Sequence, residues 1–126
     1  MSWSLNLFID SANSLEDFSG ELGLLLGTDP EFVSGSESPS YRYRSSGCTL
    51  ILRTGHEMVN DRNMKFEAYP YQLEVLPHRT ADWNRDKNQC LQLVQRVFEK
   101  LKASNRYSLL LTEKLQKKLD SFDPMR

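Results

Sequence analysis

The sequence predicts an α+β domain: a mainly antiparallel sheet of about five strands with helices packed on one face. Three observations carry this expectation. Residues 56–76, HEMVNDRNMKFEAYPYQLEVL, pass from a polar, turn-rich loop (Asn60, Asp61, Arg62, Asn63) into an extended segment with two-residue alternation. Phe66 and Ala68 share one face; after Pro70 resets the register, Tyr71, Leu73 and Val75 share another, with Gln72 and Glu74 opposite. A strand with one apolar face needs a cover, and a helical pattern lies on each side of it in sequence: Leu15, Phe18, Leu22 and Leu25 or Leu26 before, Cys90, Leu93, Val94, Val97, Phe98 and Leu101 after. Finally, 126 residues make a single domain, residues 1–126, large enough to bury about two-thirds of the surface of its unfolded chain.

Taken in order, Leu5, Leu7 and Ile9 alternate with Asn6, Phe8 and Asp10, predicting a first strand over residues 4–10. Both of its faces are partly apolar, which suits a central position. Ser14 followed by Asp17 resembles a capping box, and Glu16 and Asp17 lie where the positive end of a helix dipole favours acids. The helix that starts there ends at Gly27, and Gly20 and Gly23 weaken it by roughly 1 kcal/mol each relative to alanine. Residues 28–40, TDPEFVSGSESPS, read as a loop with Phe32 and Val33 as its apolar anchor. SYRYRS (40–45) and CTLILRT (48–54) flank the turn signal Ser46-Gly47 and predict a hairpin, so that with the strand from Phe66 onward three antiparallel strands run consecutively to Pro77. The longest helix then follows a cap at Thr80, Asp82 or Asn84 and ends near Asn105. YSLLL (107–111) predicts a strand buried on both sides, and Thr112 is expected to cap a last helix with Leu115, Leu119 and Phe122 inward. The predicted order is β-α-β-β-β-α-β-α, and its split β-α-β arrangement makes a ferredoxin-like sandwich with an added strand the leading topology.

Composition narrows the function classes. The hydrophobic share of 39% and charged share of 26% are those of an ordinary globular chain. Cys48 and Cys90 sit inside apolar patterns without CxxC spacing, so both are expected as small buried hydrophobes in a reducing cytosol. MSWSLNLFID lacks the basic start and apolar run of a secretion signal, and no stretch is long enough to span a bilayer; a cytoplasmic location and no membrane association are expected. The net charge of -1 hides an asymmetry, because residues 1–41 hold seven acids (Asp10, Glu16, Asp17, Glu21, Asp29, Glu31, Glu37) and no Lys or Arg. An acidic face would attract a basic partner and repel phosphates; the alternative is a solvated helix surface.

No constellation demands a particular chemistry. His56, Glu57, Asp61, His78 and Asp82 are the richest cluster, and a small metal-dependent hydrolase built on His56, Glu57, Asp61 and His78 is the alternative reading. Neither HxxxH nor HExxH occurs, however, and loop residues of these types are commonly there for turn chemistry. The serines lack a nucleophile elbow, and no phosphate loop is present; no cofactor is expected. Tyr41, Arg42, Tyr43 and Arg44 interleave aromatic and basic side chains as nucleic-acid-binding sheets do, but on a strand the tyrosines and arginines face opposite ways, and an edge strand defended by arginines accounts for the pattern. Direct nucleic-acid binding is not expected.

Trp3, Tyr69 and Trp83 read as exposed aromatics of the kind protein interfaces favour. LNLFIDSANSLEDFSGELGLLLG at the start, the His56-Glu57 loop running through Asp61 into FEAYPYQLEV, and YSLLLTEKLQKKL near the end resemble a group of small bacterial immunity proteins of contact-dependent inhibition and polymorphic toxin systems. The resemblance spans most of the chain and implies a non-enzymatic cytosolic inhibitor whose partner is a cognate toxin domain, often a nuclease. In that setting Glu16, Asp17, Glu21, Glu57, Asp61, Tyr69 and Trp83 are the candidate toxin-binding residues. An adaptor or a homo-oligomer is the third reading.

Overall fold

A computed structural model describes residues 3–33, 39–45, 47–54, 68–78, 80, 82–114 and 117–124. The elements run β1 (Leu5–Asp10), α1 (Leu15–Leu26), β2 (Glu31–Val33), β3 (Ser40–Ser45), β4 (Cys48–Thr54), β5 (Tyr71–Pro77), α2 (Trp83–Ser104), β6 (Ser108–Glu113) and β7 (Lys117–Phe122). The seven strands form one sheet in the order β2-β3-β4-β5-β1-β6-β7, and every ladder is antiparallel. The α+β class therefore holds, while the count of about five strands and three helices becomes seven and two among the described residues.

The first strand is central, as its two apolar faces require. Leu5, Leu7 and Ile9 lie opposite Val75, Leu73 and Tyr71 of β5, and Leu7 and Ile9 also oppose Leu111 and Leu109 of β6. All of these side chains are buried beneath the helices. Because β5 and β6 both run antiparallel to β1, they are parallel to each other, and α2 carries the chain from one to the other across β1. The reverse face alternates with the first, and there Asn6, Phe8, Gln72, Leu110 and Thr112 are buried as well. Gln72 donates to Asn6 Oδ1 at 2.8 Å, which satisfies two buried amides against each other.

Both helices cover the same face. Phe18 of α1 stacks on Tyr71, the Tyr43 hydroxyl donates to the Ser19 carbonyl at 2.8 Å, and Cys90 of α2 is joined to Cys48 of β4. Ser14, Gly27 and Asn105 cap as read from the sequence, and of the three candidates for the start of α2 it is Asp82 that caps it. The Ser14 side chain accepts from Asp17 N at 3.1 Å, Gly27 closes α1 in the left-handed region (φ 69°), Asp82 accepts from Arg85 N at 3.1 Å, and Asn105 closes α2. Gly23 has a packing reason: a Cβ there would lie 2.8 Å from the Thr28 carbonyl oxygen, so the chain leaving α1 folds back against the helix.

Four expectations are corrected. The expected last helix is replaced by strand on either side of a turn, β6 to Glu113 and β7 from Lys117, with Leu115 outside the described residues: Lys114 adopts φ 54°, a turn conformation that no helix start uses, and its N–H donates to the Ser4 carbonyl at 3.0 Å. A bulge opposite Leu111 and Thr112 leaves Leu119 without a ladder partner and changes the alternation of β7. Leu119 and Phe122, three residues apart, can thus both pack on the core from a strand, which is why their spacing imitated a helix. Glu31–Val33, read as loop, forms β2 because Phe32 sets its ring 5.3 Å from that of Tyr41 on the neighbouring strand. With β2 outside it, β3 is not the edge its arginines implied. The two cysteines, buried as expected, are not free thiols; their Cα atoms are 6.1 Å apart and the disulfide closes a sequence separation of 42 residues.

Candidate functional site

The helix α1 turns Phe18, Ser19 and Leu22 into the core, with Leu15, Leu25 and Leu26 packed against it. Its opposite stripe, Glu16, Gly20, Leu24 and Gly27, is exposed, with Asp17 beside it. Leu24 is 87% exposed and projects from the middle of this stripe into solvent. Gly20 has open space around its missing Cβ, which leaves the middle of the stripe low. Gly20, Leu24, Gly27, Asp29 and Pro30 line an open groove of about 510 Å³. Phe32, two residues beyond Pro30, is 56% exposed.

Acids frame this apolar strip. Glu16 and Asp17 occupy the first turn, where free N–H groups and the helix dipole stabilise negative charge. Neither has a cationic partner among the described residues. Asp29 is likewise exposed, whereas Glu31 is engaged by Arg42 from the adjacent strand. A larger depression of about 680 Å³ follows the outer side of α2 along Gln92, Gln95, Arg96, Glu99 and Lys100. Its named walls are long polar side chains that solvate themselves, so the α1 strip is the stronger site on chemical grounds.

The residues singled out from the sequence part company here. Glu16 and Asp17 are free to meet a partner. Glu21 is committed within the fold, ion-paired to Arg106 and accepting the Tyr107 hydroxyl at 2.6 Å. Burial first, and then this bond to a carboxylate, push the Tyr107 hydroxyl up to about 12. Trp83 begins α2 and meets Trp3 edge-on with ring centroids 6.1 Å apart, while the Lys87 ammonium sits 5.8 Å from the Trp83 ring. Trp3 is buried, so this pair closes one end of the core and is not the exposed aromatic surface the sequence implied. Tyr69 is half-buried ahead of β5, and burial, with Asp123 and Asp10 nearby, raises its pKa. Glu57 and Asp61 lie outside the described residues, as does His56.

His78 follows β5 with its Nε2 2.6 Å from the Thr49 hydroxyl, and Asp82 is occupied in capping α2. Among the described residues no three His, Cys, Asp or Glu side chains gather as a metal site would need. Tyr43 is buried under α1, where burial holds its hydroxyl far above the usual tyrosine range despite the bond to Ser19. Tyr41 packs beside Phe32, and Arg42 points to the other face; the two tyrosines serve the helix-covered core and offer no stacking platform. No described helix is long and apolar enough to cross a membrane.

Sequence reasoning missed Leu24 and Phe32. The signal for Leu24 was available: it is out of phase with the apolar series 15-18-22-25 and in phase with Glu16 and Gly20. No protein-family model, curated protein or solved structure matches this chain.

Proposed function

We propose that this chain is a non-catalytic inhibitor that binds a cognate bacterial toxin domain and neutralises it by covering its surface. The observation that supports this best is Leu24, an exposed leucine at the centre of an acid-framed helix face. Coulomb attraction to Glu16 and Asp17 would speed encounter with a basic toxin, and burial of Leu24 and Phe32 would supply affinity. In the same reading the four strands β4-β5-β1-β6 with α1 and α2 form a ferredoxin-like sandwich, widened by the β2–β3 hairpin on one side and β7 on the other.

The experiment is co-purification with the C-terminal domain encoded by the adjacent gene, together with a growth-protection assay. A stable complex that protects cells is expected, and Glu16→Lys/Asp17→Lys should slow association at least tenfold at low salt. Unchanged association and protection would remove these acids from the interface. An inhibitory role places the chain in the cytoplasm, while the Cys48–Cys90 bridge suits an oxidising compartment. Alkylating free thiols in intact cells before mass measurement discriminates: two modified cysteines indicate a reduced cytoplasmic pool, and none indicates that the bridge is formed in the cell.

A further inference from the structure

We propose that the notch where the last turn of α1 meets α2 binds a short aliphatic carboxylate, its tail on an apolar floor and its carboxylate held by Arg96 and Lys100. The notch follows from how the helices are laid. Helix α1 lies over β3 and β4, α2 lies over β5, β1 and β6, and the two touch along the seam between them. On that seam is a space of about 110 Å³. Its floor is Leu25 and Leu26 of α1 with Leu93 and Val97 of α2, and its walls are completed by Ser45, at the end of β3, and by Arg96 and Lys100.

The lining specifies the ligand. Leu93 and Val97 are buried and Leu25 and Leu26 half-buried, so an alkyl tail settling on them removes its own surface and theirs from water. An apolar cavity of about 150 Å³ takes a benzene ring, and the notch is therefore sized for a tail of about four carbons. Arg96 and Lys100 are four residues apart on one side of α2, where like charges repel unless an anion lies between them. Neither has an ion pair among the described residues, whereas Arg42, Arg53 and Arg106 each hold a carboxylate. Glu99 lines the outer depression of α2 with them but not this notch. The end of α1 brings the negative pole of its dipole, about half a charge, which two cations outweigh. The Ser45 hydroxyl has no hydrogen-bond partner among the described residues and is a further donor. A bare inorganic anion leaves the floor wet and an alkane leaves the cations unmatched; an amphiphilic anion uses both halves.

The test is titration of the whole, isotope-labelled chain with straight-chain carboxylates from acetate to dodecanoate, below their micelle concentrations, followed by amide NMR shifts. Saturable shifts centred on Ser45, Leu93 and Val97 are expected, with pentanoate binding at about 1 mM. Each methylene from acetate to pentanoate should tighten binding about fourfold, and the gain should stop once the tail outgrows the notch. The double variant Arg96→Gln/Lys100→Gln should bind pentanoate at least tenfold more weakly while its thermal unfolding matches the parent, because both side chains are exposed. Ser45→Leu, which fills the notch and keeps both cations, should weaken it as much, and pentylamine should not bind. The proposal is overturned by the absence of saturable shifts, by affinity that climbs without a break to dodecanoate, by pentylamine binding as well as pentanoate, or by full binding in the double variant. A peptide with a C-terminal valine that binds the notch more than tenfold tighter than pentanoate also overturns it, since the site then belongs to a protein terminus. The inhibitory role does not enter this assay: protection of cells and pentanoate binding stand or fall separately.

Discussion

The two helices lie over one sheet and do different work. In α2, 22 residues long, Cys90, Leu93, Val94, Val97, Phe98 and Leu101 are all buried, both ends are capped, and the disulfide fastens the helix to β4. Its start is tied down as well, since the Asp86 carboxylate accepts from both the N–H and the hydroxyl of Thr80, at 2.6 and 2.8 Å, and these bonds hold it below the usual carboxylate range. The 12-residue α1 has two internal glycines, no basic residue in its last turn, and a leucine turned to solvent. The difference teaches that stability is concentrated where the chain is apolar and cross-linked, which leaves the shorter helix free to carry surface that stability alone would not select.

The comparison can be broken most severely in α2. Phe98→Ala removes a fully buried ring and should cost about 3–5 kcal/mol in urea unfolding; a loss below 1 kcal/mol would mean that α2 is not the main prop. Reducing the Cys48–Cys90 bridge should cost about 2–4 kcal/mol through the freedom returned to the unfolded chain, read as the shift in urea midpoint with and without reductant. Where α1 meets the end of α2, Tyr107→Phe removes a hydrogen bond to a carboxylate and should cost about 1.5 kcal/mol near neutral pH. The pH dependence has a definite sign. The folded Tyr107 hydroxyl titrates near 12 against 10.0 when unfolded, so its contribution is complete below pH 10 and is lost as pH rises toward 12. The phenylalanine variant should lose less stability across that window than the parent does.

The smallest effects sharpen the comparison within α1. Gly20→Ala meets open space and should stabilise by about 0.5–1 kcal/mol through helix propensity. Gly23→Ala would press its Cβ against the Thr28 carbonyl, so it should destabilise instead, and equal thermal shifts of the two variants would show that α1 does not hold the chain beyond it in place.

Much of the fold was legible because local chemistry and tertiary structure agreed. Ser14, Gly27, Asp82 and Asn105 act at the helix ends their side chains or backbone freedom indicate, and the two-residue alternation of Tyr71, Leu73 and Val75 becomes the buried face of β5. Legibility failed where a distant partner decides. Leu119 and Phe122 have helical spacing, and only pairing with β6 across a bulge makes them strand. Glu31–Val33 is too short to show a period and is strand because Tyr41 and Arg42 lie beside it. Nothing in two cysteines 42 residues apart announces that a strand and a helix will bring them together. At the candidate site, the carboxylates were visible as seven acids in the first 41 residues with no Lys or Arg among them, but which were free depended on Arg106 and Tyr107, 85 and 86 residues from Glu21.

The place of β1 in the sheet also governs how the protein can be made. Its residues leave the ribosome well before those of its partners and stay without strand neighbours until Tyr71–Pro77 and then Ser108–Glu113 have been synthesised. A nascent chain must keep a greasy, two-sided segment from sticking elsewhere until those partners emerge, and pairings so remote in sequence slow the final collapse. Chains interrupted before residue 108 would lack one whole side of that strand's support, making them substrates for chaperones and proteases and not merely shorter versions of the same molecule.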